Sequence, residues 1–132
     1  MNNYWIARFP TTSPEVLDQL SYDEDCGVVE GIVWNLNTSP ETLARLSNHK
    51  SNWFRTGVAW NINTSTETLA KLSNDNYPDV RQGVAANRNT SLETLEQLSN
   101  DNNLAVQYEL KRNPNTPNYI RVNFHYLNLG YF

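Results

Sequence analysis

The chain repeats itself every 26 residues, and few folds survive that constraint. Thr12-Ser13-Pro14-Glu15 returns as Thr38-Ser39-Pro40-Glu41, as Thr64-Ser65-Thr66-Glu67 and as Thr90-Ser91-Leu92-Glu93, with a fifth start at Thr116-Pro117. A fixed period of this length marks a stack of supersecondary units, each too small to bury its own apolar face. Behind each Thr-Ser come two leucines three residues apart: Leu17 and Leu20, Leu43 and Leu46, Leu69 and Leu72, Leu95 and Leu98. Each unit closes on paired asparagines: Asn35 and Asn37, Asn61 and Asn63, Asn87 and Asn89, Asn113 and Asn115.

The chemistry of one unit predicts two short helices. Thr38 with Glu41 reads as a capping box, and Pro40 fits the first turn, where a missing N–H costs nothing. Leu43 and Leu46 then share one face of about two turns. Asn48, Asn74 and Asn100 stand where that helix should stop, asparagine being tolerant of the left-handed C-cap. A second helix follows from apolar residues four apart: Val28 and Ile32, Phe54 and Val58, Val80 and Val84, Val106 and Leu110. Neither helix reaches the ~12–15 residues at which isolated helices become marginally stable, so stacking must hold them. Gly31, Gly57 and Gly83 form a column inside the second helix. Glycine there sacrifices ~1 kcal/mol against alanine, which predicts a neighbouring helix at close range.

Units therefore run 12–37, 38–63, 64–89 and 90–115 within a single domain, 1–132. Residues 3–11 align with the second half of a unit and read as a half repeat with an uncovered apolar flank. Residues 116–132 break the pattern: Arg121 stands where leucine is expected. They hold Tyr119, Phe124, Tyr126, Tyr131 and Phe132, and read as an aromatic C-terminal cap.

The segments Val80-Arg81-Gln82-Gly83-Val84-Ala85-Ala86-Asn87-Arg88-Asn89-Thr90 and Asn113-Pro114-Asn115-Thr116-Pro117 resemble the leucine-rich repeat variant family, a branch near the HEAT-like α-solenoids, whose pattern is roughly V-R-x-x-V-A-x-N-x-x-T-P-x-x-x-L. The resemblance extends over residues 3–117. It implies an all-α, right-handed α-solenoid whose second helix is partly 3₁₀, used as a binding scaffold without shared catalytic residues. One family member carries an iron–sulfur cluster beside its repeats. With Cys26 alone, this chain lacks the four thiolates such a cluster takes, and no cofactor is expected.

No constellation points to catalysis. The two histidines lack metal-ligand spacing, and there is no glycine-rich phosphate loop and no nucleophile elbow. His49 occupies a column otherwise held by Asp23, Asp75 and Asp101 and reads as a solvated turn residue; His125 reads as packing among aromatics. Asp23-Glu24-Asp25 reads as a solvated acidic turn, and Cys26 as a small buried residue. The asparagine columns read as a ladder tying units together through main-chain groups left free at helix ends. No stretch approaches the ~18 apolar residues of a membrane helix. Met1 to Phe9 lacks the pattern of a signal peptide, and with one cysteine the reducing cytoplasm is the expected compartment.

The candidate surface is the outer face of the second helices. Positions 30 and 34 lie ~200° from the buried Val28 and Ile32. Stepping by 26 gives Tyr4 and Arg8, Glu30 and Trp34, Thr56 and Trp60, Gln82 and Ala86, Tyr108 and Arg112. A column accepting arginine, tryptophan and alanine is not a tight core, and tryptophan, tyrosine and arginine dominate protein-interface hot spots. The expected partner is another protein, with the chain as adaptor or inhibitor. The competing reading is a nucleic-acid binder that stacks bases on Trp34 and Trp60 and places Arg8, Arg55, Arg81 and Arg112 on phosphates. A net charge of −4 disfavours it, because phosphate attraction supplies most non-specific affinity.

Overall fold

In a computed structural model, residues 1–122 are described. They form helices α1 (Asn3–Ile6), α2 (Pro14–Leu20), α3 (Cys26–Val33), α4 (Pro40–Leu46), α5 (Asn52–Trp60), α6 (Thr66–Leu72), α7 (Pro78–Ala86), α8 (Leu92–Leu98) and α9 (Leu104–Arg112), followed by helical residues 118–122. There is no strand among the described residues, and the architecture is an α-solenoid. His125, Phe124, Tyr126, Tyr131 and Phe132 lie outside the described residues.

The even-numbered helices begin one residue later than the sequence signature implies. The N-caps are Ser13, Ser39, Ser65 and Ser91, whose hydroxyls accept from the backbone N–H of Val16, Thr42, Thr68 and Thr94. The expected Thr-x-x-Glu capping box is therefore not formed. Glu41 falls at the second helical position, too early to reach back to the cap. In the 38–63, 64–89 and 90–115 units the serine instead donates to the hydroxyl of the threonine three residues on, as Ser39 does to Thr42 at 3.0 Å. The threonine before each cap has another task. Thr12, Thr38, Thr64 and Thr90 donate to the carbonyls of Ile6, Ile32, Val58 and Val84 in the last turn of the preceding helix, each of which also accepts a backbone N–H three residues on.

The odd-numbered helices pack on one another in a continuous row, α1 on α3, α3 on α5, α5 on α7 and α7 on α9. Each is α-helical where described, and none shows the 3₁₀ geometry expected from the family pattern. With eight or nine residues in α3, α5, α7 and α9, each has room for the i→i−4 bonds that a shorter segment would forgo. The even-numbered helices lie against this row. Leu17, Leu43, Leu69 and Leu95 are fully buried there, as are Val58, Val84 and Leu110; Leu20 is only half-buried.

Glycine makes the close approach possible. A Cβ on Gly57 would fall 2.5 Å from Val33 Cγ2, and one on Gly83 would fall 2.8 Å from Ala59 Cβ. The column thus meets the preceding helix, as the sequence predicts. Asparagine then fixes the register. Asn61 Nδ2 donates to the Val33 carbonyl at 2.8 Å and to the Asn35 carbonyl at 3.0 Å, and its Oδ1 accepts from Asn63 N–H. Asn35, Asn87 and Asn113 repeat the arrangement, and all four are buried. A second rung, from Asn37, Asn63, Asn89 and Asn115, runs nearer the surface onto the carbonyls of Pro10, Leu36, Ile62 and Arg88.

Candidate functional site

Most of the ten positions on the outer face are engaged in local groups. Tyr4, Arg8 and Glu30 gather at the N-terminal end. The Arg8 guanidinium lies 3.7 Å over the Tyr4 ring and donates to Glu30 Oε2 at 2.9 Å and to the Gly27 carbonyl. Glu30 also accepts from Trp53 Nε1 at 3.0 Å. Thr56 bonds back to the Asn52 carbonyl within its own helix, and Gln82 is half-buried. At the other end Tyr108 and Arg112 pair with each other, hydroxyl to guanidinium, at 2.8 Å.

Trp34 and Trp60 are 45% and 36% exposed, and each has a packing duty as well. A Cβ on Gly57 would lie 3.4 Å from the Trp34 ring, and one on Gly83 would lie 2.8 Å from Trp60 Cδ1. Arg8 sits over Gly31 in the same way, its Cγ 3.1 Å from where a Cβ would be. Large residues at this position therefore rest on the glycine 23 places ahead. In the next unit the sizes are reversed: Ala86 precedes Glu109, which stands in the glycine column. The variation in the column follows this pairing of large with small, so the tryptophans are packing residues that stay partly exposed.

Two widely open apolar side chains lie two residues further along the chain from the tryptophans. Leu36 and Ile62, 63% and 62% exposed, sit between the two asparagines of each rung. Both neighbours on either side are tied to the preceding unit, so the middle side chain is held outward beside the tryptophan of its own unit. Sequence reasoning missed them because their column also contains Pro10 and Arg88 and has no apolar period; the signal was the Asn-x-Asn bracket. Two surface grooves follow. One is lined by Arg8, Pro10, Trp34 and Leu36 with the rung Asn35 and Asn37. The other is lined by Trp60, Ile62, Ala86 and Arg88 with Asn87 and Asn89. Every lining position of the second is that of the first advanced by two units. The stripe Trp34, Leu36, Trp60, Ile62 lies between them.

Polar groups elsewhere are occupied in holding units together. Arg55 makes a double hydrogen bond to Asp75 and Arg81 to Asp101, with closest approaches of 2.7 and 2.6 Å. At Asp75 burial raises the carboxyl pKa, but hydrogen bonds from Arg55 and Tyr77 N–H and the nearby guanidinium charge outweigh it and leave the pKa lowered. His49 is not simply solvated. It is half-buried, its ring meets Phe54 edge-on at 4.6 Å, and its Nδ1 accepts from Ser51 N–H, as Asp75 Oδ1 does from Tyr77 N–H and Asp101 Oδ1 from Asn103 N–H. Burial, then the charges of Lys50 and Arg55, lower its pKa. Cys26, expected to be buried, is exposed at the first position of α3.

Among the described residues no three His, Cys, Asp or Glu side chains come together as a metal site, and no helix is long and apolar enough to cross a membrane. Residues 78–102, spanning α7 and α8, match the family model described as Leucine rich repeat variant. The chain carries a leucine rich repeat variant unit. The matched segment holds Val80, Arg81, Gly83, Val84 and Asn87, whose roles in core, ion pair, close approach and ladder are those described above. The other 26-residue units of the chain are related to it by the same step and the same asparagine bonds. No curated protein and no solved structure matches the chain.

Proposed function

We propose that the chain is a non-catalytic scaffold that binds another protein, as adaptor or inhibitor, through the stripe Trp34, Leu36, Trp60 and Ile62. One observation carries this reading. Leu36 and Ile62 are large, apolar and almost two-thirds exposed, and they sit on a rung whose hydrogen bonds use asparagine amides and main-chain carbonyls but neither of these two side chains. The fold has no use for an apolar group at these positions, since the same column accepts Arg88. Contiguous exposed apolar surface on a rigid frame is the usual mark of an interface. The family supports a scaffold role.

The nucleic-acid reading has less support. Three of the four arginines it would place on phosphates are paired with carboxylates: Arg8 with Glu30, Arg55 with Asp75 and Arg81 with Asp101. A photo-crosslinking residue at Ile62, compared with one at the exposed Gln19, tests the proposal in lysate. Protein-sized adducts formed at 62 and absent at 19 are expected. Equal labelling at both positions, or adducts removed by nuclease, would refute it.

A further inference from the structure

The stripe is not electrically symmetric. At its N-terminal end the Arg8 charge is neutralised by Glu30 and shared with the Gly27 carbonyl. At its other end Arg88 borders the groove formed by Trp60, Ile62 and Ala86, and Arg112 stands one unit beyond Ala86 in the same column. Among the described residues Arg88 and Arg112 are in no ion pair, whereas Arg8, Arg45, Arg55 and Arg81 each are. The groove is also roomiest here, because alanine replaces the tryptophan that fills the equivalent place at position 34.

Resting on the protein-binding reading above, we infer that the occupant of this face is an extended acidic–apolar segment of another protein, with a carboxylate side chain at Arg88 and Arg112 and apolar side chains running from the Ala86 groove toward Trp34. An exposed guanidinium beside an apolar floor pairs with a carboxylate at little desolvation cost and fixes its orientation by a double hydrogen bond. The whole chain carries a net charge of −4, so two guanidiniums outside any ion pair among the described residues, at one end of an apolar stripe, are a local exception to an acidic protein. The stripe spans two unit steps, from position 34 to position 86. Helices pack at ~8–10 Å, so that is roughly 20 Å, or about six residues of extended chain. Apolar side chains then recur at intervals of about three residues, one for each unit. The segment's backbone finds few free partners on the rung, since the asparagine amides donate to the chain's own carbonyls. Selectivity accordingly lies in the side chains.

The experiment is a selection of random twelve-residue peptides, displayed on phage, against the full chain. Enriched sequences are expected to carry Asp or Glu at one end, followed by apolar residues about three apart. A synthetic peptide of that type should bind at least tenfold more weakly to Arg88→Glu, nearly normally to Arg88→Lys, and at least tenfold more weakly to Ile62→Asp. All three substitutions are at exposed positions, and unchanged melting temperatures confirm the fold. Peptides that lose binding to Ile62→Asp but lack acids, or bind Arg88→Glu as they bind the parent, overturn the acidic–apolar inference and leave protein binding at the stripe standing. Peptides indifferent to both changes overturn the two together. Failure to enrich any peptide overturns the inference, because a preformed stripe selects extended segments without help from a folded partner.

Discussion

The buried ladder makes a demand on stability that can be worked out at Asn61. Replacing Asn61 by alanine removes three hydrogen bonds. The Asn35 carbonyl keeps a partner, because it also accepts from Thr38 N–H. The Val33 carbonyl, in the last residue of α3, loses its bond in a place where Asn61 is only 3% exposed, and stranding a buried acceptor costs ~1–3 kcal/mol. Asn63 N–H loses the Asn61 oxygen, but it is nearer the surface and water replaces much of that bond, so the net loss there is ~1 kcal/mol. The total is roughly 2–4 kcal/mol. At roughly 4 °C per kcal/mol for a chain of this size, melting should fall by about 8–16 °C. Asn63→Ala is the control. Its amide bonds the exposed Leu36 carbonyl and the Thr38 carbonyl, where water can enter, and should cost ~1 kcal/mol or less. Thermal and urea unfolding of both variants measures the difference. If Asn61→Ala is no less stable than Asn63→Ala, the ladder is not what fixes the units to one another.

Two further outcomes are expected. Gly83→Ala should gain ~1 kcal/mol in helix propensity yet lose stability overall by ~1–2 kcal/mol, since Ala59 Cβ is fixed to its helix and cannot yield at 2.8 Å; denaturant titration of Gly83→Ala alone and with Trp60→Ala should show partial rescue in the double variant. His49 has a folded-state pKa below its unfolded value, so its contribution to stability is present above the unfolded pKa of ~6.5 and is lost as the pH falls from there toward the folded pKa; His49→Asp should flatten the stability profile between about pH 7 and pH 5, and an unchanged slope would show that the imidazole is not its source.

What could be read from the chain, and what could not, divides along a physical line. Features set by backbone periodicity were legible: the helix pairs, the buried leucine and valine columns, the glycine contact and the asparagine bonds each follow from one residue type recurring every 26 positions. The cap was misplaced by one residue because Thr and Ser are adjacent and both favour caps, and only the three-dimensional turn shows that Thr38 faces backward to Ile32 while Ser39 faces forward. The candidate face was half legible. Helical geometry located Trp34 and Trp60, but Leu36 and Ile62 lie outside any helix, where periodicity assigns no side. The packing duty of the tryptophans depends on a residue 23 places away, a relation that no single column displays.

That relation has a consequence for how such a chain can change its length. Every asparagine bond between units joins residues 25 to 28 apart, so excising any complete unit would leave each asparagine facing a carbonyl of the new neighbour. The backbone would accept the edit. The side chains would not accept it equally everywhere. Without 64–89, Arg55 would meet Asp101 in place of Asp75, but Trp60 would come down on Glu109 in place of Gly83. Without 38–63, Trp34 would rest on Gly83, yet Asp75 would face Val29, which now precedes His49 in the position where Arg55 precedes Asp75. Each junction carries its own matched pair, so units that are interchangeable in fold are addressed to particular neighbours, and the order of the array is written in its seams.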